Sequence, residues 1–533
     1  MVKRFLTAAL ALLLLVSCGT LKPAGDFGSL NHGDAVLLSD GRAKYVDILA
    51  FNDLHGAVYE DPLGKNVGMA KMATVVKRLK AQNPNTILVS AGDNYQGSAL
   101  SVVTRGAIVS EFFKAIGLAA SAVGNHEFDW TDEWFDDWTR DGGFPFLAAN
   151  IVDKRTGKLP EWVQPYLVAK IGGRTVAFIG LSTLETPTST KGEYVANYEF
   201  TDPAKAALKW ANYLRVNYKP DAIIALTHIP SAMDGIDKGQ AVSTSQANEL
   251  LSVARHGGVD AIITGHSHNT VNGELEGVPV LQASYNGRAF GKIRLTFKEG
   301  SGVSLSASLV EFWQEKAELV QDPEVRGIID GYVAKYGQQF LKRVAKVEGE
   351  LAHDRLLTPN VSPMGAWVCG VLKNRYKVDV AIMNGGGLRK PFPAGYVAVQ
   401  DFWDLMPFDN TAVVFEATGA DLRAMVDHGI DSLDFANGQF AGLVVRYNPS
   451  RPYGQKIVSM TLSDGTPVKD DQLYRVVTND FIFEGGDAYA MMLPAAKNTL
   501  YTYEPIRDVL IAEAEKAGVI VARTPNYLIP VAD

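Results

Sequence analysis

The chain has nine histidines in 533 residues, and five of them stand in short polar clusters rich in carboxylates. The clusters read Asn52-Asp53-Leu54-His55-Gly56, Gly92-Asp93-Asn94, Gly124-Asn125-His126-Glu127-Phe128-Asp129, Thr227-His228 and Gly265-His266-Ser267-His268. A single such histidine would most simply be structural. Imidazoles gathered with carboxylates instead suit divalent transition metals. One carboxylate can bridge two ions, and two ions about 4 Å apart can share a hydroxide and clamp a phosphoryl group. Water on such an ion loses its proton near neutrality and becomes a nucleophile. The candidate donors are Asp53, His55, Asp93, Asn125, His228, His266 and His268.

Each cluster ends a short β-rich run: Val46 to Phe51, Thr86 to Ala91, Leu118 to Val123, Ala222 to Leu226 and Val259 to Thr264. Helical segments separate some of the runs. Met69, Met72, Ala73, Val76 and Leu79 fall on one face at helical spacing. The alternation predicts an α/β layered domain, in which polar residues beyond strand C-terminal ends meet in one crevice. Gly56, Gly92, Gly124 and Gly265 would permit tight turns beside the donors. Trp130, Trp134 and Trp138 repeat every four residues and read as core packing.

After residue 345 three further elements stand out. Asn384-Gly385-Gly386-Gly387-Leu388-Arg389 follows the strand Val378 to Met383, so backbone amides there can approach an anion and Arg389 can grip phosphate. Pro407-Phe408-Asp409-Asn410 and Asn479-Asp480-Phe481 supply two aromatic faces able to sandwich a flat base. Asp487, in Gly485-Gly486-Asp487, can accept hydrogen bonds from base or ribose. Between the halves, Asp322-Pro323 reads as a helix start, and Val325, Ile328, Ile329, Val333, Tyr336, Phe340 and Leu341 continue at helical spacing as a connecting helix.

The five N-terminal clusters, in order and spacing over about residues 45–290, resemble the signatures of the calcineurin-like metallophosphoesterases, in their 5′-nucleotidase branch. The resemblance implies a four-layer α/β sandwich and a separate α+β C-terminal substrate-binding domain that rotates to carry substrate to the metals. It implies Asp53, His55, Asp93 and His268 around one ion, and Asp93, Asn125, His228 and His266 around the other. Zn, Mn, Fe and Co all accept that mixture. His126 and Asp129 resemble the family's catalytic dyad: an imidazolium near the phosphate can stabilise developing charge, and a carboxylate three residues on can orient it. The C-terminal elements, over about residues 346–525, resemble the family's nucleotide-binding domain, which implies Asn384, Gly386, Arg389, Phe408, Asn410, Phe481 and Asp487 as substrate contacts. One departure stands out. Many relatives place arginines before the helix that opens this domain, whereas Leu357 to Gly365 holds none and Arg355 is offset.

The formal charge of −8 argues against long nucleic acid as a partner, because affinity there comes from Lys and Arg on phosphates. Apolar residues at 47% and charged residues at 21% describe a folded body. Lys3 and Arg4 precede an apolar run from Phe5 to Val16, too short to span a bilayer and suited to a signal peptide. The run ends in Leu15-Val16-Ser17-Cys18, which resembles the lipobox of bacterial lipoproteins, with Cys18 acylated. Gly19 after it, by resemblance to enteric lipoproteins, points to the outer membrane, facing periplasm or cell surface. Membrane contact is then expected through the anchor alone, since no other apolar run reaches spanning length. The expected partition is a signal peptide at 1–17, a tether at 18–44, a dimetal phosphoesterase domain at 45–315, a linker helix at 316–345 and a nucleotide-binding domain at 346–533. Hydrolysis of nucleotide phosphate esters is the leading expectation. The same frame could serve nucleotide-sugar diphosphates, 2′,3′-cyclic nucleotides or protein-borne thiosulfate esters, the last disfavoured by the base clamp. A non-catalytic nucleotide-binding lipoprotein is the alternative of a different class.

Overall fold

The computed structural model describes residues 21–23, 35–39, 41–60, 65–233, 242–243, 248–298, 302–354, 361–431, 438–523 and 526–531. The signal peptide, Cys18, most of the tether, Arg355 and residues 357–360 lie outside the described residues.

Two sheets face each other in the N-terminal half. One has six strands in the order Val303–Val310, Phe290–Phe297, Tyr45–Phe51, Thr86–Ser90, Leu118–Ala122, Phe146–Leu147. Its three central motif strands run parallel, with Ile48 opposite Ile87 and Leu49 opposite Leu88. The other has eight strands, and both Ala222–His228 and Ala261–Ile263 lie parallel within it. The five motif runs are therefore shared three and two between sheets, and the crevice lies where the strand ends of both sheets meet.

Strand periodicity explains why both sheets are buried on both faces. In Ala222–His228, Ala222, Ile224 and Leu226 point into the core shared with the six-stranded sheet. Ile223 and Ala225 point the other way, onto Ala207, Ala211 and Leu214 of the helix Pro203–Asn217 and Leu250 and Val253 of the helix Asn248–His256. The helices Gly68–Gln82 and Ala107–Ile116 cover the six-stranded sheet from outside. Helix, sheet, sheet and helix make the four layers.

The tether reading needs correction. Ala35–Ser39 lies parallel beside Tyr166–Ile171 in the eight-stranded sheet, with Ala35 and Val36 buried. A short apolar run inside a polar segment was enough to extend the sheet. The folded body thus begins before residue 45.

The C-terminal half is a separate α+β unit. Its five-stranded sheet runs Gly438–Ala441, Val380–Asn384, Leu473–Asn479, Thr411–Thr418, Lys497–Pro505. The helix Pro363–Tyr376 packs on this sheet, and Arg343–Glu348 pairs with Gly395–Ala398 and Val519–Val521. The unit therefore opens about three residues before the expected boundary.

The connecting helix is Pro323–Phe340, and Asp322 caps it by accepting from the Val325 amide at 3.1 Å. Phe340 at its far end meets Trp403 of the C-terminal unit, ring centroids 5.6 Å apart. Asp322 also takes Lys77 Nζ at 2.8 Å, which ties the helix to Gly68–Gln82. Asp322→Ala removes cap and ion pair together and is expected to cost about 1 kcal/mol, read as a lower denaturant midpoint.

Candidate active site

Asp53, His55, Asp93, His266 and His268 all have positive φ, between 47° and 78°. Non-glycine residues rarely take this left-handed conformation, although Asn, Asp and His take it more readily than others. It turns the chain sharply at each strand end and aims the donor side chain back into the crevice. Backbone bonds lace the turns together: Asp53 N donates to Gly92 O at 2.9 Å, His55 N to Asp93 O at 3.0 Å and Gly56 N to Asn94 O at 2.8 Å. Gly124 serves a different purpose from the expected tight turn. Its φ is ordinary, but a Cβ there would lie 2.1 Å from Asp93 Oδ1. The glycine makes room for a donor.

All seven expected donors converge. Asp53, His55 and His268 form one group of ligand atoms, and Asp93, His228 and His266 another, each within 4.8 Å. Asp93 Oδ2 lies 3.1 Å from His228 Nε2 and 3.9 Å from His55 Nε2, facing both groups. Asn125 Oδ1 sits 2.9 Å from His266 Nδ1 in the second group.

The residues fit a pair of cations by three observations. His228 Nδ1 bonds the Ala91 carbonyl at 2.7 Å, and His55 Nδ1 the Gln96 carbonyl at 2.9 Å. A carbonyl only accepts, so each Nδ1 carries the proton and, in the neutral ring, Nε2 presents its lone pair to the crevice. His228 Nε2 is fully buried with Asp93 Oδ2 3.1 Å away, a ring nitrogen and a carboxylate oxygen side by side as two ligands of one ion would be. His55 Nε2 and His268 Nε2 face each other at 3.0 Å, with Asp53 Oδ1 3.3 Å from the latter.

The electrostatics express the same crowding. Burial, with help from the neighbouring Asp93, raises Asp53 to about 6. Burial opposes charge on His228 too, but Asp93 and Asp53 outweigh it and push that imidazolium up to about 10. A bound cation would take the place of that proton. Burial, together with Arg389, holds His55 well below the usual histidine range.

His126 and Asp129 form the expected pair, Nδ1 to Oδ2 at 2.7 Å, and Thr190 Oγ1 donates to the other oxygen of Asp129 at 3.0 Å. Burial works against charge on His126, but Asp129 and Asp93 overcome it and raise its pKa.

Sequence reasoning passed over Glu127, which is fully buried inside the most specific motif. Its carboxylate accepts from the amides of Asp93 at 2.9 Å, Asn94 at 2.7 Å and Gly124 at 2.7 Å. It joins the second and third donor loops without being a ligand.

The C-terminal residues complete the same cavity, about 1180 Å³ in volume. Asn384, Gly386, Arg389, Phe408, Asn410, Phe481 and Asp487 all line it. Phe408 stands 5.5 Å from the His126 ring, and the Arg389 guanidinium lies 5.5 Å from Phe408. Asn384 is already spent on protein, donating to Asp487 at 2.6 Å and accepting from Asn479 at 3.0 Å, so it positions Asp487. Gly486 lies under Phe481, where a Cβ would meet the ring at 2.5 Å. Across the seam, Lys191 Nζ pairs with Asp480 Oδ2 at 2.9 Å. His353, near the stretch that lacks arginines, bonds Ser362 Oγ at 2.7 Å and the Gly385 carbonyl at 3.0 Å, holding the glycine loop.

The tryptophan stripe packs as expected. Trp138, stacked on Tyr95 at 4.0 Å, and Trp130, its ring centroid 5.9 Å from that of Trp138, belong to the core, and Trp134 packs against it. Trp130 and Trp134 also reach the edge of the cavity. The stripe is not one α-helix face: residues 126–134 form two separate 3₁₀ turns broken at Thr131, φ 67°, and the α-helix begins only at Phe135.

The calcineurin-like phosphoesterase family model matches residues 46–270, and the 5′-nucleotidase C-terminal domain model matches 344–494. The chain is 27% identical over 500 residues to a 5′-nucleotidase of Diplobatis ommata, covering 85% of this chain and 84% of that one. It is 27% identical over 512 residues to a 5′-nucleotidase of Vibrio cholerae, covering 88% and 90%. In fold it is similar to a 5′-nucleotidase precursor from Thermus thermophilus, with TM-score 0.79 and 23% identity over 92% of this chain and 100% of that one.

Glu127→Ala leaves three buried amides without their acceptor, and is expected to cost about 3 kcal/mol or more. Elemental analysis of the purified variant should show reduced metal content although no ligand is changed. Full metal occupancy would contradict the positioning role.

Proposed function

We propose, for a chain that belongs to the 5′-nucleotidase-type calcineurin-like metallophosphoesterases, that it hydrolyses the phosphate ester of nucleotides bound between Phe408 and Phe481. It is a metal-dependent phosphoester hydrolase by family, and its own residues supply the rest of the reading. The observation that carries it is one cavity lined both by the donor groups and by the aromatic and arginine residues of the C-terminal unit.

Asp53, His55, Asp93 and His268 would hold one divalent ion, and Asp93, Asn125, His228 and His266 the other. Such a pair supplies a water ionised near neutrality and positive charge for the phosphoryl oxygens. Hydrolysis joins a water oxygen to phosphorus, breaks the bond from phosphorus to the ribose oxygen, and leaves a proton on that oxygen. His126, held by Asp129, which favours its cationic form, offers Nε2–H to the phosphoryl group as charge builds. Arg389 adds a second fixed cation from the opposite wall. Asp487, oriented by Asn384, accepts from ribose or base hydroxyl and amine groups. The Phe408 ring, close to His126, helps exclude water from the reacting centre.

Export and lipid attachment are part of the same proposal and rest on the leader: the basic start, the short apolar run and Cys18. An acidic body, with small nucleotides rather than long nucleic acid as partners, agrees with a scavenging role outside the cytoplasm. Cys18→Ser in the full chain should abolish incorporation of labelled fatty acid and release the protein from the membrane fraction. Unchanged labelling would remove the anchor from the proposal.

Protein stripped of metal and resupplied with Mn²⁺, Zn²⁺, Fe²⁺ or Co²⁺ should release phosphate from AMP only after resupply. In the same assay His126→Ala should retain both metals and lose about 10²–10⁴-fold in kcat. Tight nucleotide binding without turnover at saturating Mn²⁺ and Zn²⁺ would instead identify a non-catalytic binding protein.

A further inference from the structure

The two aromatic walls of the clamp are held in different ways. Phe481 lies in the short helix Asp480–Phe483, which Asn479 caps by accepting from the Ile482 amide at 2.8 Å. Phe408 stands in a loop, residues 406–410, between the helix Val399–Leu405 and the strand Thr411–Thr418. A ring on a loop is only as fixed as the backbone that carries it. What fixes this backbone is a side chain 99 residues further along the chain.

Arg507 belongs to the helix Ile506–Ala517 and is 4% exposed. Its Nη1 donates to the Met406 carbonyl at 3.0 Å and to the Phe408 carbonyl at 3.4 Å, and its Nη2 donates to Asp409 Oδ1 at 2.8 Å. The Ile506 amide beside it donates to the Asn410 carbonyl at 2.9 Å and fastens the end of the loop. The guanidinium also lies 3.6 Å from the centre of the Trp403 ring, which in turn meets Phe340 at the end of the connecting helix. On the other side, Asp409 Oδ2 faces Arg105 of the N-terminal half at 3.8 Å. The group that grips the Phe408 loop therefore stands between the connecting helix and the seam.

Burying a cation is costly, and an apolar side chain could fill the same place, since the helix already packs through Ile506, Val509 and Leu510. What only a guanidinium supplies is a flat fork that reaches several acceptors at once while stacking on an indole. Its acceptors here all lie on one loop, and the ring on that loop belongs to the clamp.

We propose that Arg507 is the positioning residue of the base clamp, and that by fixing the Phe408 loop it sets how strongly the centre favours nucleotides over phosphate esters that lack a base. The inference rests on the hydrolytic reading above and on the base sandwich within it. Arg507 acts through Phe408 alone. A ring already set in its stacking position loses little freedom when a base arrives, and that saving appears as affinity for the base.

AMP and ribose 5-phosphate share the phosphate and the sugar and differ by the base. The readout is the ratio of kcat/KM for AMP to that for ribose 5-phosphate, measured on the full chain with Mn²⁺ for the parent, Arg507→Met, Phe408→Leu and the double variant. A ratio on one preparation is unaffected by partial loss of folded enzyme. Arg507→Met should lower the ratio about tenfold, the scale of one base stacked on one ring. The double variant should fall no further than Phe408→Leu, because both changes remove the same contact. Asp409→Ala, at a half-exposed position, loosens the same grip without emptying a buried site and should lower the ratio several-fold. A ratio within about twofold of the parent in Arg507→Met and Asp409→Ala overturns the positioning role, as does a double variant whose loss is the product of the two single losses. If Phe408→Leu itself leaves the ratio unchanged, the base sandwich fails, and a parent that hydrolyses neither ester overturns the hydrolytic reading.

Discussion

Two carboxylates and four imidazoles, five of these six side chains buried, are packed together in one crevice. Burying Asp53 and Asp93 side by side is unfavourable unless positive charge is brought in with them. The raised pKa of Asp53 and the strongly held proton on His228 are two expressions of that shortage. Divalent cations relieve it, and the carbonyls of Ala91 and Gln96 have already turned two rings so that Nε2 faces inward. Much of the N-terminal architecture serves this arrangement. The parallel motif strands of two mixed sheets bring their carboxyl ends to one place, and Glu127 joins the loops that the strands themselves cannot join.

The C-terminal unit contributes from the other side of the seam. Arg389 and Phe408 approach His126 closely enough to affect the charge balance of the metal groups, since Arg389 is among the causes that depress His55. The Lys191–Asp480 pair crosses the seam, and Asp480 also accepts from the Phe481 amide at 2.9 Å, so the pair ties the aromatic clamp to the N-terminal half. The arrangement is that of a molecule with its two halves brought together over one cavity.

Much of the site was legible in the amino-acid order because metal donors are few in kind and sit at strand ends, where hydrophobic runs stop abruptly. Asp53, His55, Asp93, Asn125, His228, His266 and His268 needed only that pattern to be grouped. What escaped notice depends on distance in space. Nothing along the chain assigns Leu118–Ala122 and Ala222–His228 to different sheets, because both read as buried parallel strands. Glu127 looked like part of a motif, and only its three amide partners, two of them more than 30 residues away, reveal what it does. Trp130 and Trp134 kept helical spacing in a segment that is not an α-helix. Ala35–Ser39 was too short, within a polar stretch, to stand out as a strand.

The left-handed turns at the donor positions set two demands on the same residues. Each must bend the chain in a way most side chains resist and must also present a nitrogen or oxygen to the crevice. Glycine satisfies the first demand better than Asp or His and cannot meet the second. The folded scaffold would therefore be more robust with its donors erased, and the chain accepts a less comfortable backbone in order to keep its chemistry. Selection for thermal endurance alone, with no requirement for turnover, would be drawn first to these five positions.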